Sequence, residues 1–182
     1  TEPLLFIKAG SCVVPLDDGF TLVEGKGDVH YEAEIAVLIG KPLSRTPNAE
    51  EVRDAISGFA PALDLTLRDL QATLKAKGYP WETAKSFDGA CVLAPFVPGD
   101  AMEDLADIGI RLSINGELRQ DGNSRDMLNP ILPMIQHICG HFSLQPGDVI
   151  LTGTPVGVGP LHKGDELVLE LVGHSRFESR AL

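Results

Sequence analysis

The stretch His30-Tyr31-Glu32-Ala33-Glu34-Ile35-Ala36-Val37-Leu38-Ile39-Gly40 decides how the rest of the chain is read. It opens as strict alternation and ends as an unbroken apolar run. Residues two apart in an extended strand share a face, so His30, Glu32 and Glu34 point one way, followed on that face by Ala36 and Leu38. Tyr31, Ala33, Ile35, Val37 and Ile39 occupy the other face and suit burial. Two carboxylates therefore stand where a buried strand begins. Either they form the wet face of an edge strand, or they sit at the rim of an apolar interior. A bare charge in the second place needs a cation, a proton or several donors. The alternation alone leaves both readings open.

Working outward, Leu4 to Lys8 reads as a short strand, and Asp17-Asp18-Gly19 as the tip of a turn. After residues 29–39, Asn48 is a suitable N-cap with Glu50 and Glu51 in the first helical turn, and Gly58 is placed as a C-cap. Phe59 to Leu65 returns to strand character. Thr66 and Asp69 then resemble an acidic capping box for a helix ending near Lys77-Gly78. Asp64 thus lies at a strand-to-helix junction, with Arg68 and Gln71 three apart on the helix that follows. Residues 78–90 read as a long irregular connection. Cys91 to Val97 reads as a strand that Pro95 demotes towards an edge.

Asn115-Gly116 between two short runs marks a type I′ hairpin, and Asn129-Pro130 opens a helix ending at Cys139-Gly140. Val149 to Thr152 and Glu166 to Val172 are further strands, separated by the glycine-rich Gly153 to Pro160. That loop is not a P-loop, because no Gly-Lys-Ser/Thr closes it, although Thr152 and Thr154 offer hydroxyls at its start. Many short strands and about three short helices predict a single α+β domain, residues 1–182, dominated by sheet.

Composition narrows the partners. A net charge of −11 argues against nucleic acid or an anionic membrane surface as partner. The chain has no 18-residue apolar run. Cys12, Cys91 and Cys139 are odd in number and widely spaced, which suggests neither a zinc knuckle nor a disulfide framework and fits a reducing cytoplasm. Glu32, Glu34 and Asp64 are the acids to place together. Three carboxylates within roughly 4 Å repel by about 4 kcal/mol per pair at an effective dielectric of 20. All-oxygen ligation of a hard divalent cation removes that repulsion. His30 is either a further ligand or a hydrogen-bonded residue at the strand start, the commoner role.

The order and spacing of several motifs are more specific than any one of them. Leu5-Phe6-Ile7-Lys8, His30-Tyr31-Glu32-Ala33-Glu34, Leu63 to Gln71, Gly78-Tyr79-Pro80-Trp81, Ala84-Lys85-Ser86-Phe87, Asn115 to Gln120 and Gly147 to Pro155 together resemble the fumarylacetoacetate hydrolase family. The likeness is to its small members that act on acylpyruvates and oxaloacetate. It implies a mixed β-sandwich roll and a Mg²⁺ or Mn²⁺ site made by Glu32, Glu34 and Asp64. It also implies Lys85, Arg68 and Gln71 as catalytic residues, and Lys8, Thr154 and Arg68 as substrate-binding ones.

The implied substrate is a small 2-oxo acid, the implied assembly a homodimer, and the first expected reaction hydrolysis of the C–C bond of an acylpyruvate. Decarboxylation or tautomerisation of oxaloacetate, isomerisation of an unsaturated dicarboxylate, and a non-catalytic ligand-binding module are the alternatives. Such members carry a further His–Glu lid segment upstream of the first strand, and this sequence begins after its place, so a truncated sequence is expected. Without that pair, hydrolysis lacks a base worth roughly 10²–10⁴ in rate.

Overall fold

The computed structural model describes residues 2–17 and 19–182. The Asp17-Asp18-Gly19 turn tip falls on Asp18, outside the described residues. A 3₁₀ turn at Gly10–Cys12 leads into β1 (Val13–Pro15), and the decisive stretch forms β2 (Val29–Tyr31) and β3 (Ala33–Ile39), broken at Glu32. Next come α1 (Ala49–Ala55), β4 (Ile56–Asp64), β5 (Thr66–Leu67), α2 (Arg68–Lys77), α3 (Glu82–Lys85), β6 (Cys91–Leu93) and β7 (Val97–Pro98). The hairpin β8 (Gly109–Ile114) and β9 (Glu117–Asn123) precedes α4 (Ile131–Cys139). The chain closes with β10 (Val149–Leu151), β11 (Gly159–Pro160), β12 (Glu166–Leu171) and β13 (Ser175–Arg180).

Three sheets result. The first runs β1-β6-β4-β3-β10 with β7 also on β4, the second β11-β2-β5, and the third β13-β12-β8-β9. Among the strands of the described residues β1–β6 is the one parallel pair, with a further parallel bridge between Phe20 and Ala181. The alternation of residues 30–39 becomes a two-sided burial. Ile35, Val37 and Ile39 enter the main core with Phe59, Leu112 and Leu169. The opposite face packs Ala36 against Ala60 and Ala62, small residues that let Leu93, Phe96 and Leu151 cover it.

Several local readings hold. Asn48 and Glu51 form a full capping box on α1, Gly78 closes α2 in the left-handed conformation, and Asn115 and Gly116 both take positive φ in the hairpin turn. Others are corrected. Residues 4–8 are not a strand; the apolar run lies along a cleft, with Leu4 65% and Ile7 59% exposed. Gly58 is not a C-cap but an interior β4 residue, where a Cβ would come 2.9 Å from the Val97 carbonyl oxygen. Thr66 does not cap α2, because it is pinned in β5 opposite His30, and Leu67 takes the N-cap position. The connection 78–90 contains α3, so the described residues hold four α-helices rather than three.

Candidate functional site

The break between β2 and β3 builds the site. At Glu32 the backbone leaves the ladder, and its carbonyl accepts the Asp64 N–H at 2.9 Å, joining the start of β3 to the end of β4. Glu32, Glu34 and Asp64, all buried, then converge, with one carboxylate oxygen from each within 4.8 Å of the others. Cationic side chains arrive from three directions. Lys85, at the end of α3 and only 2% exposed, donates to Glu32 Oε2 at 2.8 Å and to Asp64 Oδ2 at 2.6 Å. Lys8 donates to Asp64 Oδ1 at 2.7 Å and also to the Lys85 carbonyl. Arg68, in the first turn of α2, donates to Glu32 Oε1 at 2.6 Å and to Gln71 Oε1 at 2.8 Å. The Phe6 ring lies 5.2 Å from Lys85 Nζ, within cation–π reach.

The three acids are not equivalent. Burial pushes the Glu32 carboxyl up, but Lys85 and Arg68 outweigh it and hold Glu32 below its ordinary range. Glu34 receives one hydrogen bond among the described residues, from the Gly153 N–H at 2.6 Å. Burial, reinforced by the Asp64 charge, pushes its carboxyl up to about 8. Glu34 is thus a buried carboxyl with too few donors to hold its charge unaided, beside other hard oxygen donors, and a divalent ion such as Mg²⁺ or Mn²⁺ would supply the missing positive charge. In the metal-free protein a raised folded pKa means stability that is full below the ordinary value of 4.5 and lost as pH rises through about 8. The metal-free thermal midpoint is therefore expected to fall between about pH 5 and about pH 9, and saturating Mg²⁺ to flatten that fall. A midpoint that rises over the same range without metal contradicts this.

A cleft of about 1030 Å³ opens beside the acids, with Lys8, Glu34, Asp64, Thr152 and Thr154 in its wall. Arg68, Gln71 and Lys85 join the cluster through their ion pairs and hydrogen bonds rather than through that wall. The Thr154 hydroxyl is already engaged, donating to Ala33 O at 2.9 Å and accepting from Gln120 Nε2 at 2.8 Å. Thr152 Oγ1 and Arg68 Nε have no partner among the described residues. His30 does not join the acid cluster; its Nδ1 has no partner among the described residues, and burial followed by the Arg68 charge lowers its pKa.

Sequence reasoning passed over Gln120. Its buried carboxamide accepts the Ala33 N–H at 2.9 Å and donates to Thr154 Oγ1 and to Pro155 O at 2.9 Å. It thereby ties the strand between the two glutamates to the loop whose Gly153 N–H holds Glu34. The Asn-Gly turn alone puts Arg119 opposite Leu112, but a bulge between Leu112 and Ser113 shifts Gln120 there, onto the inner face. Gln120→Leu leaves the buried Ala33 N–H unsatisfied and removes two part-buried hydrogen bonds, and is expected to destabilise the protein by about 1–3 kcal/mol. Chemical denaturation measures this, and a loss under about 0.5 kcal/mol contradicts it.

Residues 1–180 match the Fumarylacetoacetate (FAA) hydrolase C-terminal family. The chain belongs to the fumarylacetoacetate hydrolase family. It is 47% identical over 175 residues to oxaloacetate tautomerase YcgM of Escherichia coli (strain K12), covering 96% of this chain and 80% of that protein. It is 38% identical over 167 residues to human mitochondrial oxaloacetate tautomerase FAHD1, covering 92% of this chain and 75% of that one. Its fold matches the crystal structure of fumarylpyruvate hydrolase from Pseudomonas aeruginosa in complex with Mn²⁺ and pyruvate. There the TM-score is 0.91 and the identity 29%, over 97% of this chain and 77% of that one. The mixed α+β architecture is the family's, and the chain is an enzyme of a family whose members include tautomerases and hydrolases. Among the described residues no helix is long and apolar enough to cross a membrane.

Proposed function

We propose that the chain is a divalent-metal-dependent, cytoplasmic enzyme that interconverts the keto and enol forms of oxaloacetate. Residues 1–182 would form one catalytic domain, with Glu32, Glu34 and Asp64 as metal ligands and a homodimer as its assembly. The observation that carries this reading is the Lys85 ammonium held 2.8 Å from Glu32 and 2.6 Å from Asp64. The identity to two oxaloacetate tautomerases favours this reaction over acylpyruvate hydrolysis, the first expectation from the sequence.

A bound Mg²⁺ or Mn²⁺ supplies Lewis-acid polarisation of a 2-oxo group. The remaining work falls to the chain's own side chains. Keto–enol exchange breaks the C3–H bond, its proton leaving to water in the open cleft, and forms an O–H bond at the 2-oxo oxygen with a proton drawn from the same water. Lys85 holds a proton on Nζ and a positive charge where negative charge develops on that oxygen. Arg68, tethered by Gln71, fixes Glu32 Oε1 from behind the cleft wall and so orients that carboxylate. Thr152 Oγ1 and Lys8, both in the cleft wall, are the further groups that bind the acid. Hydrolysis needs all of this and, in addition, a base that activates water.

Hydrolysis of a longer acylpyruvate remains the second reading, favoured by one observation. The cleft is larger than a four-carbon acid needs, and Leu5, Phe6, Met134 and Ile138 give it an apolar wall. Purified chain supplied with Mg²⁺ should be given enol-oxaloacetate, fumarylpyruvate and acetylpyruvate in parallel, with pyruvate release from oxaloacetate followed separately. Loss of enol absorbance faster than either cleavage or decarboxylation is expected. Faster cleavage of fumarylpyruvate would replace the first reading with the second.

A further inference from the structure

Away from the acid cluster, a second group of metal-ligating side chains converges where the N-terminal segment meets α4. His137 lies in the last turn of α4 and His141 four residues on, with ring centroids 4.9 Å apart. The His141 and Phe142 N–H groups donate to Ile138 O at 2.9 and 2.8 Å, which carries the helical winding past Cys139 and holds that spacing. Glu2 joins from the opposite side, its Oε1 lying 4.0 Å from His137 Nε2. One ligand atom from each of the three lies within 4.8 Å of the others.

We propose that Glu2, His137 and His141 form a second metal site, for a borderline transition ion such as Zn²⁺, that ties the N-terminal segment to α4. The donor set decides the class of ion. Two imidazoles with a carboxylate suit Zn²⁺, Ni²⁺ or Cu²⁺, whereas the all-carboxylate cluster suits Mg²⁺ or Mn²⁺. Imidazoles four residues apart on a helix face one way and chelate a single ion. Metal–ligand bonds of about 2.0–2.2 Å place tetrahedral ligands about 3.4 Å apart, so the three groups must close by about 1 Å. The Glu2 side chain is 79% and that of His137 24% exposed, which leaves them room to do so.

The tie has a consequence for the cleft. Pro3 to Lys8 line it, Phe6 stands over Lys85, and Lys8 is paired with Asp64. An ion on Glu2 fastens the far end of the same segment, so the stretch along the cleft is anchored at both ends.

The test is a Zn²⁺ titration by calorimetry on the full chain in saturating Mg²⁺, which occupies the hard-oxygen donors first. One Zn²⁺ per chain is expected, with affinity at least about tenfold weaker in His141→Ala and several-fold weaker in Glu2→Gln. Cu²⁺ bound to the wild type should show two nitrogen ligands by electron paramagnetic resonance, and one in His141→Ala. Glu32→Gln/Glu34→Gln should keep the Zn²⁺ affinity, and His141→Ala should keep Mg²⁺-supported turnover, so this site and the proposed activity stand or fall separately. Absence of Zn²⁺ binding, wild-type affinity in His137→Ala/His141→Ala, or loss of Zn²⁺ in the glutamate variant overturns the site. Unchanged affinity in Glu2→Gln overturns the tie to the N-terminal segment.

Discussion

Lys85→Met is expected to lower kcat for enol-oxaloacetate by about 10²–10³-fold while oxalate, a dianion that reads the ground-state carboxylate contacts, binds within a few-fold of wild type. The asymmetry follows from where the charge acts. In the proposed mechanism, ground-state binding of a dicarboxylate draws on the metal and Lys8, whereas the Lys85 ammonium matters most when negative charge develops on the 2-oxo oxygen. Folding tolerates the change because each acid that Lys85 touches keeps another cation, Lys8 on Asp64 and Arg68 on Glu32. Lys85→Arg keeps the charge but replaces a point donor that reaches two carboxylates with a planar fork, and should recover only part of the rate. Steady-state kinetics with oxalate inhibition reads both quantities, and an intact kcat in Lys85→Met removes the lysine from the mechanism.

The second large effect concerns Asp64. Asp64→Asn is expected to abolish metal-supported turnover and to weaken Mn²⁺ binding by at least about 100-fold, since one of the three proposed anionic ligands becomes neutral. Alanine is a poorer probe at this position. Both Asp64 oxygens are held by lysines, Oδ1 by Lys8 and Oδ2 by Lys85, and truncation removes both acceptors and leaves a void in a buried cluster, although Lys85 keeps Glu32. Loss of activity in Asp64→Ala would therefore mix a binding defect with a folding defect. The asparagine variant, with a thermal midpoint near wild type, separates them. Turnover of Asp64→Asn within tenfold of wild type would contradict the ligand assignment.

How far the sequence reaches depends on the range of the interactions involved. Asn48 with Glu51, Gly78, and Asn115-Gly116 are legible because their cues act within a few residues. Leu4 to Lys8 is misread because an apolar run signals a buried strand only when a partner strand exists, and this run lies along a cleft instead. Thr66 carries the local chemistry of an N-cap but is claimed by the pairing of β5 with β2, a tertiary contact that outweighs a cap worth about 1 kcal/mol. Gly58 reads locally as a helix stop, yet the close approach of Val97 is what its missing side chain permits.

The candidate site divides along the same line. Alternation marks Glu32 and Glu34 as unusual, and residue type suggests grouping them with Asp64, but their burial together depends on the β3–β4 register, which spans about thirty residues and which no local cue fixes. Gln120 stays hidden because a bulge moves it by one position onto the inner face. The unequal proton affinities of Glu32 and Glu34 follow from which cations reach each one, a property of three dimensions only.

The most direct test strips the protein of metal with a chelator and measures the rate of enol-oxaloacetate loss against added Mn²⁺, for wild type and Asp64→Asn side by side. A negligible rate without metal, a saturable rise in the wild type and no rise in the variant are predicted. A full rate in the stripped wild type, or the same saturation curve in Asp64→Asn, would contradict a metal-supported enol chemistry centred on Glu32, Glu34 and Asp64.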